Sequence, residues 1–130
     1  MEIIDLNNFL QRFKLNTMHE MSIAMNLVDL AVQTAKQNDA QKINSMVLEM
    51  GSLTGVVREA LEFCFESACK GTIAEGAKLE IINIPGNAVC EHCGHRFSGD
   101  QVAVPCPKCN EYVFNIQGGR ELKLKSVNVD

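Results

Sequence analysis

The sequence predicts an α/β (α+β) fold, in which a small mixed sheet is combined with two helices and a cysteine-rich module is inserted. Three observations predict this fold. Two segments repeat apolar residues at helical spacing, three have the composition of strands, and two C-x-x-C pairs lie just before the last of these strands. With 130 residues, 46% of them hydrophobic and 22% charged, the chain has the size and composition of one ordinary globular domain rather than a disordered or membrane protein.

The first helix is predicted over residues 20–38, where apolar residues recur every three or four positions. They form one stripe, which consists of Ile23, Ala24, Leu27, Val28, Ala31 and Ala35. Residues 43–50 are rich in Ile, Val, Leu and Met and stop at Gly51, which is typical of a buried strand.

A second helix is predicted over residues 56–70, with Thr54 as its N-cap. Residues 79–84 are rich in isoleucine and are followed by a Pro-Gly pair, so they are predicted to form a second strand. Residues 121–129 alternate apolar and polar side chains, with some imperfection, which favours a last strand with one face in solvent.

The predicted domain organisation has three parts. Residues 1–17 are an N-terminal extension, residues 18–87 and 118–130 form the α/β domain, and residues 88–117 form the inserted module. The extension lacks the basic start and long apolar run of a secretory signal, so the cytoplasm is the expected compartment. Its apolar residues can form a short helix, although no motif assigns them a task; they are Ile3, Ile4, Leu6, Phe9, Leu10 and Phe13.

The inserted module is predicted to be a zinc ribbon with one structural zinc ion. A C-x-x-C spacing lets a tight turn point both sulfurs at one ion, and two such pairs complete a tetrahedron. A closed set of four sulfurs suits a structural zinc, whereas a catalytic zinc keeps an open position for water. The module has few large aliphatic residues, so the metal would supply stability that its core lacks. The predicted ligands are Cys90, Cys93, Cys106 and Cys109.

Other interpretations of these cysteines are four free thiols, an iron–sulfur cluster or a redox pair. A redox C-x-x-C normally opens a helix, and neither pair is followed by helical periodicity. His92 and His95 are alternative ligands, although such residues more often lie on the surface of the module. Cys64 and Cys69 are about 140° apart around the second helix, so they do not converge on one ion and are interpreted as buried small hydrophobic residues.

Charge and motifs limit the functional classes. The formal net charge of −4 argues against sequence-independent nucleic-acid binding, which needs a basic surface. A zinc-ribbon adaptor that binds protein or nucleic acid is the main alternative function. From Cys93 to Cys109, however, the charged residues are only Arg96, Asp100 and Lys108, and Phe97 is the single aromatic, so the basic and stacking surface that nucleic-acid binding needs is thin. A hydrolase is disfavoured because the sequence has no Ser-His-Asp, H-E-x-x-H or phosphate-loop pattern.

The segment M-H-E-M-S at residues 18–22 resembles the start of chains in the HypA/HybF family of hydrogenase nickel-incorporation proteins. The resemblance continues to about Val129. It includes E-M-G at residues 49–51, the segment GTIAEGAKLEI and the two cysteine pairs in the same order. Each piece alone is weak, but their joint order is specific.

The resemblance implies a nickel metallochaperone without enzymatic activity. In the family such a protein delivers Ni(II) to the large subunit of [NiFe] hydrogenase together with a GTPase partner, HypB. The resemblance also implies that His19 is the nickel ligand, that Met18 and Glu20 adjoin the site, and that the four cysteines bind zinc. Imidazole suits nickel, and an amine with deprotonated amides completes the planar nitrogen set that Ni(II) prefers. Neither a nucleic acid nor a membrane is an expected partner.

The N-terminal extension is a departure from the family pattern. In the family the M-H-E segment begins the chain, so its first amine can bind the metal, whereas residues 1–17 place an amide at that position here. Three explanations follow: translation starts at Met18, the nickel site differs in this protein, or the extension is an added or misassigned segment.

Overall fold

The computed structural model describes residues 2–6, 20–98, 105–112 and 114–130. Both predicted helices and all three predicted strands are confirmed, with ends that differ by at most two residues. In chain order the elements are β1 (Glu2–Asp5), α1 (Glu20–Gln37), β2 (Ile43–Gly51), α2 (Arg58–Cys69), β3 (Lys78–Ile84), β4 (Asn87–Cys90), β5 (Arg96–Ser98), β6 (Phe114–Gln117) and β7 (Leu122–Val129).

The start of α2 corrects one prediction, because Thr54 does not cap this helix. The N-cap is Val57, which makes no side-chain capping bond. The Thr54 hydroxyl donates instead to the Gly51 carbonyl at 3.0 Å. The Val57 amide donates to Oε1 of Glu20, the first residue of α1, at 3.3 Å. Glu20 therefore does for α2 what the glutamate of a capping box does for its own helix.

The larger sheet has four strands in the order β1-β7-β2-β3. The strand β1 is antiparallel to β7. Backbone hydrogen bonds join the Ile43 amide to the Ile73 carbonyl and the Ser52 amide to the Ile84 carbonyl, each at 2.9 Å. Both chain segments therefore advance in the same direction, as a crossover through α2 requires, and the predicted mixed sheet is confirmed.

The chain divides into two compact units, and the first comprises Met1–Glu49, Val56–Ile82 and Lys123–Asp130. Its helices α1 and α2 pack against each other, and the predicted apolar stripe of α1 is buried. Full burial of one such side chain contributes about 1.5–3 kcal/mol. The large side chains that are fully buried in this unit are Leu6, Ile23, Leu27, Val28, Ile43, Met46, Leu48, Leu61, Leu124, Val127 and Val129.

The N-terminal extension contributes a strand at residues for which the sequence also allowed a short helix. Residues Glu2–Asp5 pair with β7, and the side chain of Leu6 is fully buried. Ile3 and Ile4 therefore lie in a strand and not in that helix, because their segment pairs with the distant strand β7. The other apolar positions of that possible helix, at residues 9, 10 and 13, lie outside the described residues.

The second unit comprises Met50–Gly55 and Asn83–Leu122. Its three-stranded sheet has the order β5-β4-β6, and both neighbours of β4 are antiparallel to it. Residue Gly119 lies where two segments meet, and its carbonyl accepts a hydrogen bond from the Leu53 amide at 2.7 Å. A Cβ on Gly51 would overlap this same carbonyl group.

Replacement of Gly119 by alanine is expected to destabilise the protein more than replacement of Gly118. Both residues have positive φ, 85° and 77°, so each alanine carries a backbone cost of about 1–2 kcal/mol. A Cβ on Gly119 would also lie 2.5 Å from Cα of Gly86, whereas at Gly118 the nearest atom is 3.4 Å away. We expect Gly119→Ala to lose about 1–3 kcal/mol more than Gly118→Ala, measured by urea unfolding of the metal-loaded protein. Equal losses would contradict this expectation.

Among the described residues, neither helix is both long enough and apolar enough to cross a membrane.

Candidate metal centre

The candidate metal centre is built from two turns with the same backbone pattern. In the first turn, Cys90 is the last residue of β4; its amide donates to the His95 carbonyl at 2.9 Å and its carbonyl accepts from the Gly94 amide at 2.8 Å. In the second turn, the Cys106 amide donates to Glu111 and its carbonyl accepts from Asn110, both at 2.8 Å. Each C-x-x-C segment is therefore folded into the tight turn that its spacing predicts.

Two residues that the sequence analysis missed make these turns possible. Gly94 and Asn110 follow the second cysteine of each pair and have positive φ values of 76° and 65°. Glycine and asparagine tolerate this conformation best, so the sequence carried a signal: a glycine or asparagine directly after each C-x-x-C.

The two turns bring four sulfur atoms together. The Sγ atoms of Cys90 and Cys109 are 3.5 Å apart, and those of Cys93 and Cys106 are 3.7 Å apart. All four Sγ atoms lie within 4.8 Å of one another. Zinc–sulfur bonds of about 2.3 Å in a tetrahedron would place the sulfurs about 3.8 Å apart. The donor set therefore fits one tetrahedral metal ion.

The ionisation of the thiols is consistent with a metal site. Burial raises the pKa of Cys106, but backbone N–H groups of Cys109 and Lys108 and neighbouring thiols lower it to about 7. The Glu111 N–H lowers the pKa of Cys109, but burial and the other three sulfurs raise it to about 12. One thiolate thus forms readily and opposes ionisation of its neighbours. A divalent cation removes that opposition, because a coordinating thiol is deprotonated.

Burial and ligand number describe a closed site. Cys90 and Cys106 are buried, Cys109 is half-buried, and Cys93 is exposed. Four sulfur ligands complete a tetrahedron and leave no position for a reactive water, so the site is suited to a structural metal rather than to catalysis.

The remaining histidines and cysteines of the described residues lie outside this cluster. His92 is exposed, and His95 is half-buried and stacks on Phe97 with ring centroids 6.1 Å apart. The interpretation of Cys69 as a buried small residue is confirmed, and burial raises its pKa to about 11. Cys64 is half-buried, so the same interpretation holds for it only in part.

Of the three residues predicted to form or adjoin the nickel site, the structure describes only Glu20. Met18 and His19 lie outside the described residues. Glu20 begins α1, and its carboxylate accepts the hydrogen bond from Val57 described above. Glu20 is therefore anchored to the start of α2, which the sequence did not predict.

The fold and the site define a class of small metal-binding α+β proteins with a four-cysteine centre in a three-stranded module. Within this class, the chain belongs to the HypA family, because the family model described as "Hydrogenase/urease nickel incorporation, metallochaperone, hypA" matches residues 18–129. The predicted family is thus confirmed.

Similar proteins agree with the family model. The hydrogenase maturation factor HypA of Geobacter sulfurreducens is 42% identical over 113 residues, which are 87% of this chain and 100% of that protein. The HypA of Prosthecochloris aestuarii is 40% identical over the same lengths. The solution structure of the Ni metallochaperone HypA from Helicobacter pylori has a TM-score of 0.59 and 26% identity, covering 86% of this chain and 97% of that one. A second HypA solution structure has a TM-score of 0.63 and 27% identity, with 87% and 97% coverage.

Proposed function

We propose that this protein binds Ni(II) and delivers it during maturation of [NiFe] hydrogenase, while a structural Zn(II) is held by its four-cysteine centre. The observation that carries the proposal is the family match over residues 18–129, which includes both the M-H-E-M-S segment and the clustered cysteines. The nickel-binding α/β domain consists of residues 18–87 and 118–130, and the zinc module of residues 88–117. The protein acts in the cytoplasm and catalyses no reaction of its own.

The proposal assigns zinc to the cysteine centre because of the chemistry of the donor set. A closed tetrahedron of thiolates suits Zn(II), whereas Ni(II) prefers planar sets with nitrogen ligands. The strands of the module have only three or four residues. In such a module a metal that joins both turns contributes much of the folding free energy.

The proposal assigns nickel to His19, with Met18 and Glu20 adjoining the site. A neutral imidazole is a good Ni(II) ligand, and neighbouring amides can complete the set when they are deprotonated. The Glu20 carboxylate accepts a hydrogen bond from the N-cap residue of α2. The segment that would bind nickel is therefore fixed to the α/β domain at Glu20.

Delivery requires partners, and we propose the GTPase HypB and the large subunit of [NiFe] hydrogenase. The chain has no phosphate-loop sequence of its own, which is consistent with a separate protein that hydrolyses GTP. Recovery of both partners with the tagged chain from nickel-grown cells would support the assignment.

Deletion of the gene is expected to lower [NiFe] hydrogenase activity, and excess nickel should partly restore it, because a chaperone raises the rate of delivery rather than performing the chemistry. The full chain should complement the deletion at ordinary nickel concentrations, and His19→Ala should not. His92→Ala is the matched control, since His92 is an exposed histidine outside the proposed nickel site. Unchanged hydrogenase activity in a deletion strain with no second family member would contradict the proposed function.

A further inference from the structure

The strand β1 covers one edge of β7 with residues that the family match does not include. In the sheet order, β7 lies between β1 and β2. The family match begins at residue 18, and 113 residues of this chain cover the whole of the Geobacter and Prosthecochloris proteins. The strand that pairs with β7 on this side therefore comes from a segment additional to the length of these relatives.

The register shows which groups of β7 this strand satisfies. Ile4 is opposite Val127, and Glu2 is opposite Val129. The Leu6 amide donates to the Lys125 carbonyl at 2.8 Å. Hydrogen-bonded pairs alternate along an antiparallel ladder, so Lys125, Val127 and Val129 direct their N–H and C=O groups towards β1. Leu6, which follows β1, and Val127 are both 0% exposed.

Without β1, this edge of β7 is complementary to itself. Two copies that pair antiparallel about Val127 place Val127 opposite Val127 and Lys125 opposite Val129. Every outward N–H and C=O of these three residues then has a partner in the second copy, as in an isologous two-fold interface. No lysine faces another lysine in this register, so the pairing carries no direct like-charge repulsion.

We propose that the outer edge of β7 is an interface for a second copy of this chain, and that β1 occupies this interface within one molecule. An open strand edge readily accepts another strand, and covering it is a common means of preventing association. The N-terminal extension then has a definite role. Residues 2–6 keep the protein monomeric, and release of β1 permits a dimer in which the sheets of the two copies are continuous.

Two proline variants of the full, zinc-loaded chain test the proposal. Ile4→Pro removes an N–H that is directed at β7, whereas the N–H of residue 3 points away from β7, so Ile3→Pro is the matched control. A third protein begins at Met18 and so has the length of the family match. In sedimentation equilibrium we expect the mass of a monomer for the parent and for Ile3→Pro. For Ile4→Pro and for the Met18 form we expect the mass of a dimer of the respective chain.

The position of the interface is tested in a dimer of mixed isotope labelling. Pairing about Val127 places Ser126 opposite Asn128 of the other copy as a non-hydrogen-bonded pair, so an intermolecular NOE is expected between their Hα atoms. A doubled mass without this NOE would overturn the proposal, and so would a doubled mass for the parent. A single-chain mass for the Met18 form would overturn it as well. Ile4→Pro can have the mass of one chain while its Val127 amide still exchanges slowly. In that case β1 remains paired with β7 despite the proline, and the mass of the Met18 form alone supports or overturns the proposal.

Discussion

Cys90→Ala is expected to abolish zinc binding and to unfold the module that carries the site. The parent protein should contain one zinc per chain, held by the four clustered sulfurs. Loss of one thiolate leaves an incomplete tetrahedron, and structural zinc contributes about 10–16 kcal/mol in small zinc-binding peptides. Strands of three or four residues cannot replace a contribution of that size. Elemental analysis measures the zinc, and amide exchange over residues 87–98 and 105–112 measures the unfolding.

The control for this experiment is Cys64→Ala, which removes a half-buried thiol outside the cluster. This variant should keep its zinc and the slow exchange of the module. Amides of α1 and β2 should remain protected in both variants, because their core consists of apolar side chains of the first unit. A full equivalent of zinc in Cys90→Ala, or no zinc in the parent prepared with adequate metal, would contradict the assignment.

His19→Ala is expected to abolish tight Ni(II) binding while zinc stays in place. Imidazole is the one side-chain nitrogen donor in the M-H-E-M-S segment, and without it backbone amides and a carboxylate form a much weaker set. A chain that begins at Met18 should bind nickel more tightly than the full chain, because its free amine needs only a mild deprotonation whereas an amide resists it. Calorimetric titration of both lengths, each with and without His19, measures these differences.

Two controls separate the possible causes of a change in nickel affinity. His92→Ala removes an exposed histidine of the zinc module and should leave nickel affinity unchanged. The Met18 form also lacks β1, so full-length Ile4→Pro tests that loss alone; it should bind nickel as the parent does if the amine is responsible. Unchanged affinity in His19→Ala would refute the nickel site. Equal affinity in the two lengths would refute only the role of the amine.

The match to the family model leaves the start of the chain unexplained. The match begins at Met18, so it carries no information about residues 2–6, which the structure places in the sheet. The strand that these residues form was visible only in the tertiary structure.

The sequence by itself determined the features that depend on neighbouring residues. Helix α1 was predicted because its apolar stripe repeats within a few positions, and that stripe is buried. The metal centre was predicted because C-x-x-C is a local turn, and its cysteines do cluster. The glycine and asparagine that complete those turns were also readable from adjacent positions.

The tertiary structure alone decided the features that depend on residues distant in the chain. Ile3 and Ile4 suit a helix or a strand, and β7, more than a hundred residues away, makes them a strand. Thr54 looked like a local cap, but the Val57 amide is satisfied by Glu20 of another helix. In both cases a hydrogen bond from a distant segment outweighs local propensity, which differs by only a few tenths of a kcal/mol to about 1 kcal/mol between residues.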